Sequence, residues 1–148
     1  GLVADLLEHY SPERMIGIKG RIFRGDYHNN LEVRGEKMVA QGNTEPVEVD
    51  MLVGHIMLTH RKHLLGYNFA DAAWYCCELQ LQGRIKRDIH EGRREGLFSM
   101  WVIPSDKHHD TEAQIDGNAL YRQPGADGEK RQVYAELFQG RPYLVGLP

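Results

Sequence analysis

A short basic stretch is the part of this chain whose residue types and spacing most clearly suggest chemistry. Between positions 84 and 94 basic side chains outnumber the acidic Asp88 and Glu91. Arginine and lysine neutralise phosphate groups and release their counterions, so such a stretch favours binding of a polyanion that weakens as salt rises. The basic members are Arg84, Lys86, Arg87, Arg93 and Arg94.

The basic stretch sits between two runs that we expect to form β-strands. Leu79, Leu81 and Ile85 alternate with polar residues, and residues 97–103 are apolar on both faces. Alternation with a period of two residues is typical of a half-buried strand. We therefore predict that residues 78–103 form a β-hairpin with a basic loop at its tip.

A structural interpretation of the same stretch stays open. Arg93 and Arg94 could pair with Glu91 and Glu95 in a solvated loop that binds nothing. The whole chain, with 148 residues and a formal net charge of −3, is not basic all over. That charge still leaves room for a local basic patch.

Other basic and aromatic side chains would extend a nucleic-acid path if they share a face with the hairpin. Aromatic rings matter because stacking of a base on a ring contributes about 1–3 kcal/mol. The basic candidates flank the first expected turn or follow the third expected strand. The additional candidates are Arg21, Arg24, Arg34, Arg61, Lys62, Tyr27 and Trp101.

Strand-like alternation outweighs helical periodicity along the chain. A short helix is expected first, with Leu2, Val3, Leu6 and Leu7 on one side and Pro12 after its end. Strands follow at 15–24, from residue 31 and at 47–60. A short helix capped by Asn68 is expected before the hairpin. Beyond it, the weaker strand signals lie at 112–122, 131–138 and 142–147.

These elements predict one mostly-β domain. The order of three strands, a short helix and a two-strand hairpin is that of an OB-fold, a five-stranded barrel. We expect residues 1–14 to form the N-terminal helix, 15–104 the OB-like barrel, and 105–148 a C-terminal β extension packed on the same domain.

Three motifs carry a resemblance to a known family. The segment Met-Ile-Gly-Ile-Lys-Gly-Arg-Ile-Phe-Arg-Gly-Asp at 15–26 resembles the first strand of OB-fold single-stranded-DNA-binding proteins of the bacterial and phage type. His60-Arg61 with Leu64-x-Gly66, and Leu-Gln-Gly-Arg-Ile-Lys-Arg at 81–87, are similar in order to that family's third strand, helix and fourth strand. The resemblance covers about residues 15–104. It implies binding of single-stranded nucleic acid, DNA rather than RNA, in a barrel groove.

The chain departs from the family at the positions that stack on bases. Thr59 and Leu65 stand where the resemblance places aromatic side chains. The C-terminal Tyr-Leu-Val-Gly-Leu-Pro also lacks the acidic tip through which the family recruits partners. Residues 105–148 could instead form an assembly surface.

Metal binding and catalysis have little support. His55 and His60 would point to opposite faces of one strand, which does not suit a shared metal ion. Glu48, Asp50 and Glu78 could act as acids or bases on a strand, but no nucleophile, phosphate-loop or metalloprotease motif accompanies them. We therefore predict a non-catalytic protein with no metal and no cofactor.

Two functions remain as the main alternatives, and a barrel enzyme or small-ligand carrier is a third. The first is non-catalytic binding of single-stranded nucleic acid, and the second is a structural β-barrel subunit of a homo-oligomeric assembly, of the phage tail or capsid type. A homo-oligomer is expected in both cases, because the apolar strands 51–58 and 97–103 exceed what one small barrel covers.

Adjacent Cys76 and Cys77 do not suit an intramolecular disulfide. No run of residues is long and apolar enough for a bilayer, so we expect a cytoplasmic protein with no membrane partner.

Overall fold

The computed structural model describes residues 1–23, 37–39, 45–52, 56–68, 77–104, 126–138 and 140–145. Its helices are α1 (Leu2–Glu8), α2 (Cys77–His90) and α3 (Ala126–Leu137), with a short 3-10 helix at Arg61–His63. Its strands are β1 (Arg14–Gly17), β2 (Gly20–Ile22), β3 (Lys37–Val39), β4 (Val47–Val49), β5 (Met51–Leu52), β6 (Met57–Thr59) and β7 (Ser99–Val102).

A four-stranded sheet in the order β4-β7-β1-β6 forms the centre of the described part. β7 runs parallel to β1, with Ile16 opposite Trp101, whereas β4 and β6 run antiparallel to their neighbours. Alternation of side chains gives the sheet two faces. Met15 and Met100 pack on one face against Ile85 of α2. The other face carries Ile16, Ile18 and Ile103, which pack against Leu6 of α1.

A smaller sheet in the order β3-β2-β5 shares two chain segments with the first. β1 leads into β2 through a bend at Ile18 and Lys19, and β4 leads into β5 through Asp50. Asp50 is fully buried, and its carboxylate accepts a hydrogen bond of 2.7 Å from the backbone N–H of Phe23 and another from that of Val145. Asp50 therefore ties the end of β2 and the C-terminal segment to the bend.

Helix α2 packs against both sheets and against α3. Its buried Leu81 and Ile85 contact the four-stranded sheet. Gln82, also fully buried, bonds to both backbone groups of Leu52, accepting from its N–H at 2.7 Å and donating to its carbonyl oxygen at 3.0 Å. Leu79 joins a second core with Phe23, into which α3 also packs.

The α3 helix closes this second core with aromatic side chains. Tyr134 and Phe138 approach the ring of Phe23 edge-on, with centroids 5.3 and 5.5 Å away. Offset and edge-to-face geometry is what the charge distribution of aromatic rings favours. The segment at 131–138, for which the sequence indicated a strand, is helical up to Leu137.

The predicted mostly-β, OB-like five-stranded barrel with a C-terminal β extension is wrong. The described strands form two open sheets combined with three helices, a mixed α/β arrangement without a closed barrel in those residues. The hairpin at 78–103 is also wrong, because its first half is α2 and its second half, β7, pairs with β1 and β4. The N-terminal helix is present as α1. The short helix expected after Asn68 falls at 69–76, outside the described residues, and the division into segments at 14 and 104 stays a prediction.

Among the residues that the structure describes, no helix is both long enough and apolar enough to cross a lipid bilayer.

We expect replacement of Gly83 by Ala to destabilise the protein, because α2 and α3 touch at this position. An added Cβ would lie 2.8 Å from Cβ of Leu137 and 2.9 Å from the ring of Phe138. Overpacking costs about 1–3 kcal/mol, and the gain in helix propensity from Gly to Ala offsets about 1 kcal/mol of this. Urea unfolding should show a lower unfolding free energy. Gly1→Ala, with no heavy atom within 4 Å of the new Cβ, is the control, and equal stability of the two variants would contradict this contact.

Candidate functional site

The predicted basic stretch is not one exposed surface, because Lys86 is buried. Its side chain faces inward from α2 and Lys86 is only 7% exposed. Burial lowers the pKa of the Lys86 ammonium, while the negative charges of Asp50 and Glu48 act in the opposite direction. A buried amine cannot reach the phosphates of a nucleic acid on the surface.

Arg87 and Arg93 are paired with carboxylates. The Arg93 guanidinium lies 2.8 Å from Asp88 and also bonds to Glu91. Arg87 lies 3.2 Å from Glu136 of α3. Although burial opposes it, hydrogen bonds from Arg93 and Tyr67 hold the pKa of Asp88 below its ordinary value. The open interpretation is therefore confirmed for Arg93, which pairs with Glu91, but not for Arg94, whose guanidinium bonds to Lys62 and His63 instead.

Arg94 joins two loops instead of pointing to solvent. Its guanidinium donates to the carbonyl oxygens of His63 at 3.0 Å and Lys62 at 2.8 Å. It also lies over the ring of Tyr67, 5.5 Å from the centroid, and Tyr67 donates to Asp88 at 2.9 Å. Arg94 thus attaches the loop after α2 to the 3-10 helix that follows β6.

His63 completes this connection as a neutral imidazole. It is 2% exposed, with Nε2 2.7 Å from the carbonyl oxygen of Pro12 and Nδ1 3.1 Å from the Arg94 guanidinium. Because arginine can only donate, Nδ1 must accept, and Nε2 carries the proton that it donates to Pro12. Burial lowers the pKa of His63, and the nearby positive charges of Arg94 and Lys62 lower it further.

Two of the predicted basic residues remain available. Arg61 is exposed and Arg84 is half-buried, and neither side chain has an ion pair or hydrogen bond within the described ranges. Lys62 lies 2.7 Å from the Glu13 carboxylate, and this hydrogen bond lowers the pKa of Glu13. Arg21 is half-buried in β2. Arg24, Tyr27 and Arg34 lie outside the described residues.

The structure brings Trp101 together with Arg14, a residue that the sequence did not single out. The Arg14 guanidinium carbon lies 4.3 Å from the centroid of the Trp101 ring, and the ring is held by a 2.9 Å hydrogen bond from Nε1 to Oγ of Ser99. We call this pair the Arg14–Trp101 stack. In the described part of the chain, no carboxylate or other hydrogen-bond partner is recorded for the Arg14 side chain, so its donors remain available.

The stack lies on the face of the four-stranded sheet that also carries α1. Ile16 is opposite Trp101 in the parallel β1–β7 pair, and Arg14 is two residues before Ile16 on the same face. Residues 61–63 follow β6, whose end lies beside the start of β1 because Thr59 pairs with Met15. Arg61 and Lys62 are thereby placed at the same end of the sheet as Arg14.

The histidines and acids considered as possible metal ligands or acid–base groups do not form a common site in the described part of the chain. No three His, Cys, Asp or Glu side chains there come close enough together to hold a metal ion. His60 caps the 3-10 helix by accepting from the backbone N–H of Lys62 at 3.0 Å. Asp50 accepts backbone hydrogen bonds, which is a structural role, and His55 lies outside the described residues.

Comparison of the chain with protein-family models, with curated proteins and with solved structures found no match.

We expect replacement of Arg94 by Gln to destabilise the protein. The carbonyl oxygens of Lys62 and His63 would lose their charged donor, and hydrogen bonds to charged groups contribute about 1.5–3 kcal/mol. The free energy of unfolding in urea should fall by about 2 kcal/mol. Arg61→Gln makes the same chemical change on an exposed side chain of the 3-10 helix to which Arg94 is bonded and should stay within about 0.5 kcal/mol of the wild type. Equal losses in both variants would show that Arg94 does not join the loops.

We expect acid to weaken the fold through His63. The pKa of His63 is lowered in the folded state, so below about pH 6.5 the unfolded chain takes up a proton that the folded chain resists. The contribution of His63 to the unfolding free energy is therefore complete above this pH and lost as the pH falls below it. Urea unfolding across a pH series should show a shallower decline for His63→Gln, which cannot titrate. An identical decline in both proteins would contradict the assignment.

Proposed function

We propose that the protein binds single-stranded nucleic acid without catalysing a reaction, and that it does so at the Arg14–Trp101 stack. The observation that carries the proposal is the guanidinium held 4.3 Å over an indole ring, with no hydrogen-bond or ion-pair partner among the described residues. A guanidinium oriented in this way can bind phosphate oxygens in bidentate geometry or stack on a base. Arg61 extends the positive charge at the same end of the sheet.

The proposal differs from the sequence-based one in its site. A basic hairpin no longer supports it, because Lys86 is buried and Arg87, Arg93 and Arg94 have partners inside the protein. Trp101 and Arg61 remain at this site from the predicted set, since Lys62 is paired with Glu13. The preference for DNA over RNA, the homo-oligomer and the cytoplasmic location stay predictions.

A second candidate is a subunit of a homo-oligomeric assembly. Leu65 and Leu97 are 67% and 73% exposed, and they lie in the two loops that Arg94 joins. Val3 and Leu7 are also exposed, on the outer side of α1. Exposed apolar groups of this size favour contact with another protein surface, and light scattering of the protein without nucleic acid would detect the assembly.

We expect a labelled single-stranded oligonucleotide to bind at low salt and to dissociate as salt rises. Log affinity decreases linearly with log salt concentration, and the slope of this dependence becomes shallower by about 0.7 for each single-strand phosphate contact removed. Arg14→Gln and Arg61→Gln together should lower both the affinity and this slope. Arg93→Gln, which removes an arginine already paired with Asp88 and Glu91, is the matched control and should leave the slope unchanged.

Two results would overturn the proposal. One is undetectable binding at low salt with both DNA and RNA oligonucleotides. The other is an Arg14→Gln, Arg61→Gln variant whose affinity and salt slope equal those of the wild type.

A further inference from the structure

Acidic, aromatic and basic side chains lie on or beside one face of the four-stranded sheet. Its order is β4-β7-β1-β6. On this face β4 carries Glu48 and β7 carries Trp101, whereas Ile16 of β1 and Leu58 of β6 pack in the core that contains Leu6 of α1, and the cations Arg14 and Arg61 lie at the end of the sheet where β1 begins. Glu48 of β4 lies opposite Trp101 of β7. Arg14 begins β1, and Arg61 follows β6. A nucleotide bound at that end of the face would have Glu48 on one side and the two cations on the other.

Glu48 is on the same face as Trp101 because of its position in β4. Its neighbours Val47 and Val49 pack into the core on the α2 side, so alternation turns the side chain of Glu48 to the other side. Directly opposed residues in an antiparallel pair have Cβ atoms about 4.5–5.5 Å apart. Glu48 is half-buried, and within the described ranges its carboxylate has no recorded hydrogen bond or ion pair, only the longer-range attraction to Lys86.

The carboxylate at this end of the face selects between parts of a nucleotide. A carboxylate repels phosphate and accepts hydrogen bonds from N–H groups. Guanine presents two adjacent N–H donors on its pairing edge, N1–H and the 2-amino group, which match the two oxygens of one carboxylate. Adenine and cytosine present one amino group beside a bare ring nitrogen, and thymine presents N3–H between two carbonyl oxygens. Guanine is therefore the base that fits Glu48 best.

We propose that Glu48 makes the Arg14–Trp101 stack selective for guanine. The base lies over the stack with its pairing edge at Glu48, and the backbone phosphates follow the side of Arg14 and Arg61. This inference rests on the proposed binding function and adds the base identity and the orientation of the nucleotide to it.

The test compares oligothymidylates that differ at one central base. Replacing that thymine by guanine should increase the affinity about tenfold, within the range that a good bidentate contact supplies. Deoxyinosine in the same place should give a smaller increase, because it lacks the 2-amino group but keeps N1–H. Glu48→Gln should abolish the difference between guanine and thymine and leave binding of the plain oligothymidylate as strong as before or stronger.

The control variant is Glu45→Gln, which makes the same charge change at an exposed position before β4 and should keep the preference for guanine. Binding without a preference for guanine, or a preference that persists in Glu48→Gln, would overturn this inference and leave the proposed function standing. Absence of binding for every oligonucleotide at low salt would instead overturn the proposed function, and the base selectivity with it.

Discussion

The side chain of Gln82 acts as a hydrogen-bonding partner for the short strand β5. It bonds to both the N–H and the carbonyl oxygen of Leu52, so a buried strand backbone is satisfied by a helix side chain. Such groups are costly to leave unpaired. This contact holds α2 against the sheets, which in turn brings Gly83 against α3 and Lys86 toward Asp50. The amide of Gln82 thus fixes the register of α2 against β5, and the apolar side chains of the second core hold α2 and α3 together.

The same contact explains why α2 was predicted as a strand. Its buried side includes Gln82, Gly83 and Lys86, which read as polar or neutral in the sequence and conceal the helical period. The remaining apolar residues, Leu79, Leu81 and Ile85, alternate like a strand. Segments 15–24 and 47–60 were predicted better, because their described residues do form strands. Each predicted strand is nevertheless divided into shorter ones, β1 and β2 in the first segment and β4, β5 and β6 in the second. Local hydrophobic pattern identifies an element only when apolar contacts position it.

Only the part of the candidate site that depends on residue type and on close neighbours in the chain could be predicted from the sequence. Residue type alone indicated Trp101, Arg61 and Lys62, and the open alternative for Arg93 was correct because Glu91 lies two residues away in the chain. Arg14 was missed because its partner Trp101 belongs to a strand distant in sequence, and parallel pairing of β1 with β7 leaves no local pattern. The inward roles of Lys86 and Arg94 likewise depend on tertiary contacts, with Asp50 and with the carbonyl oxygens of Lys62 and His63.

Because β1 and β7 pair in parallel, the Arg14–Trp101 stack depends on completion of the fold. Parallel neighbours need a long crossover connection, and here the intervening chain includes β2 to β6 and α2. Closing so large a loop is among the slower events in folding. The Arg14–Trp101 stack therefore exists only after distant parts of the chain have docked. A partner of this stack can bind only the folded protein. By mass action such a partner would therefore stabilise the pairing of β1 with β7 against unfolding.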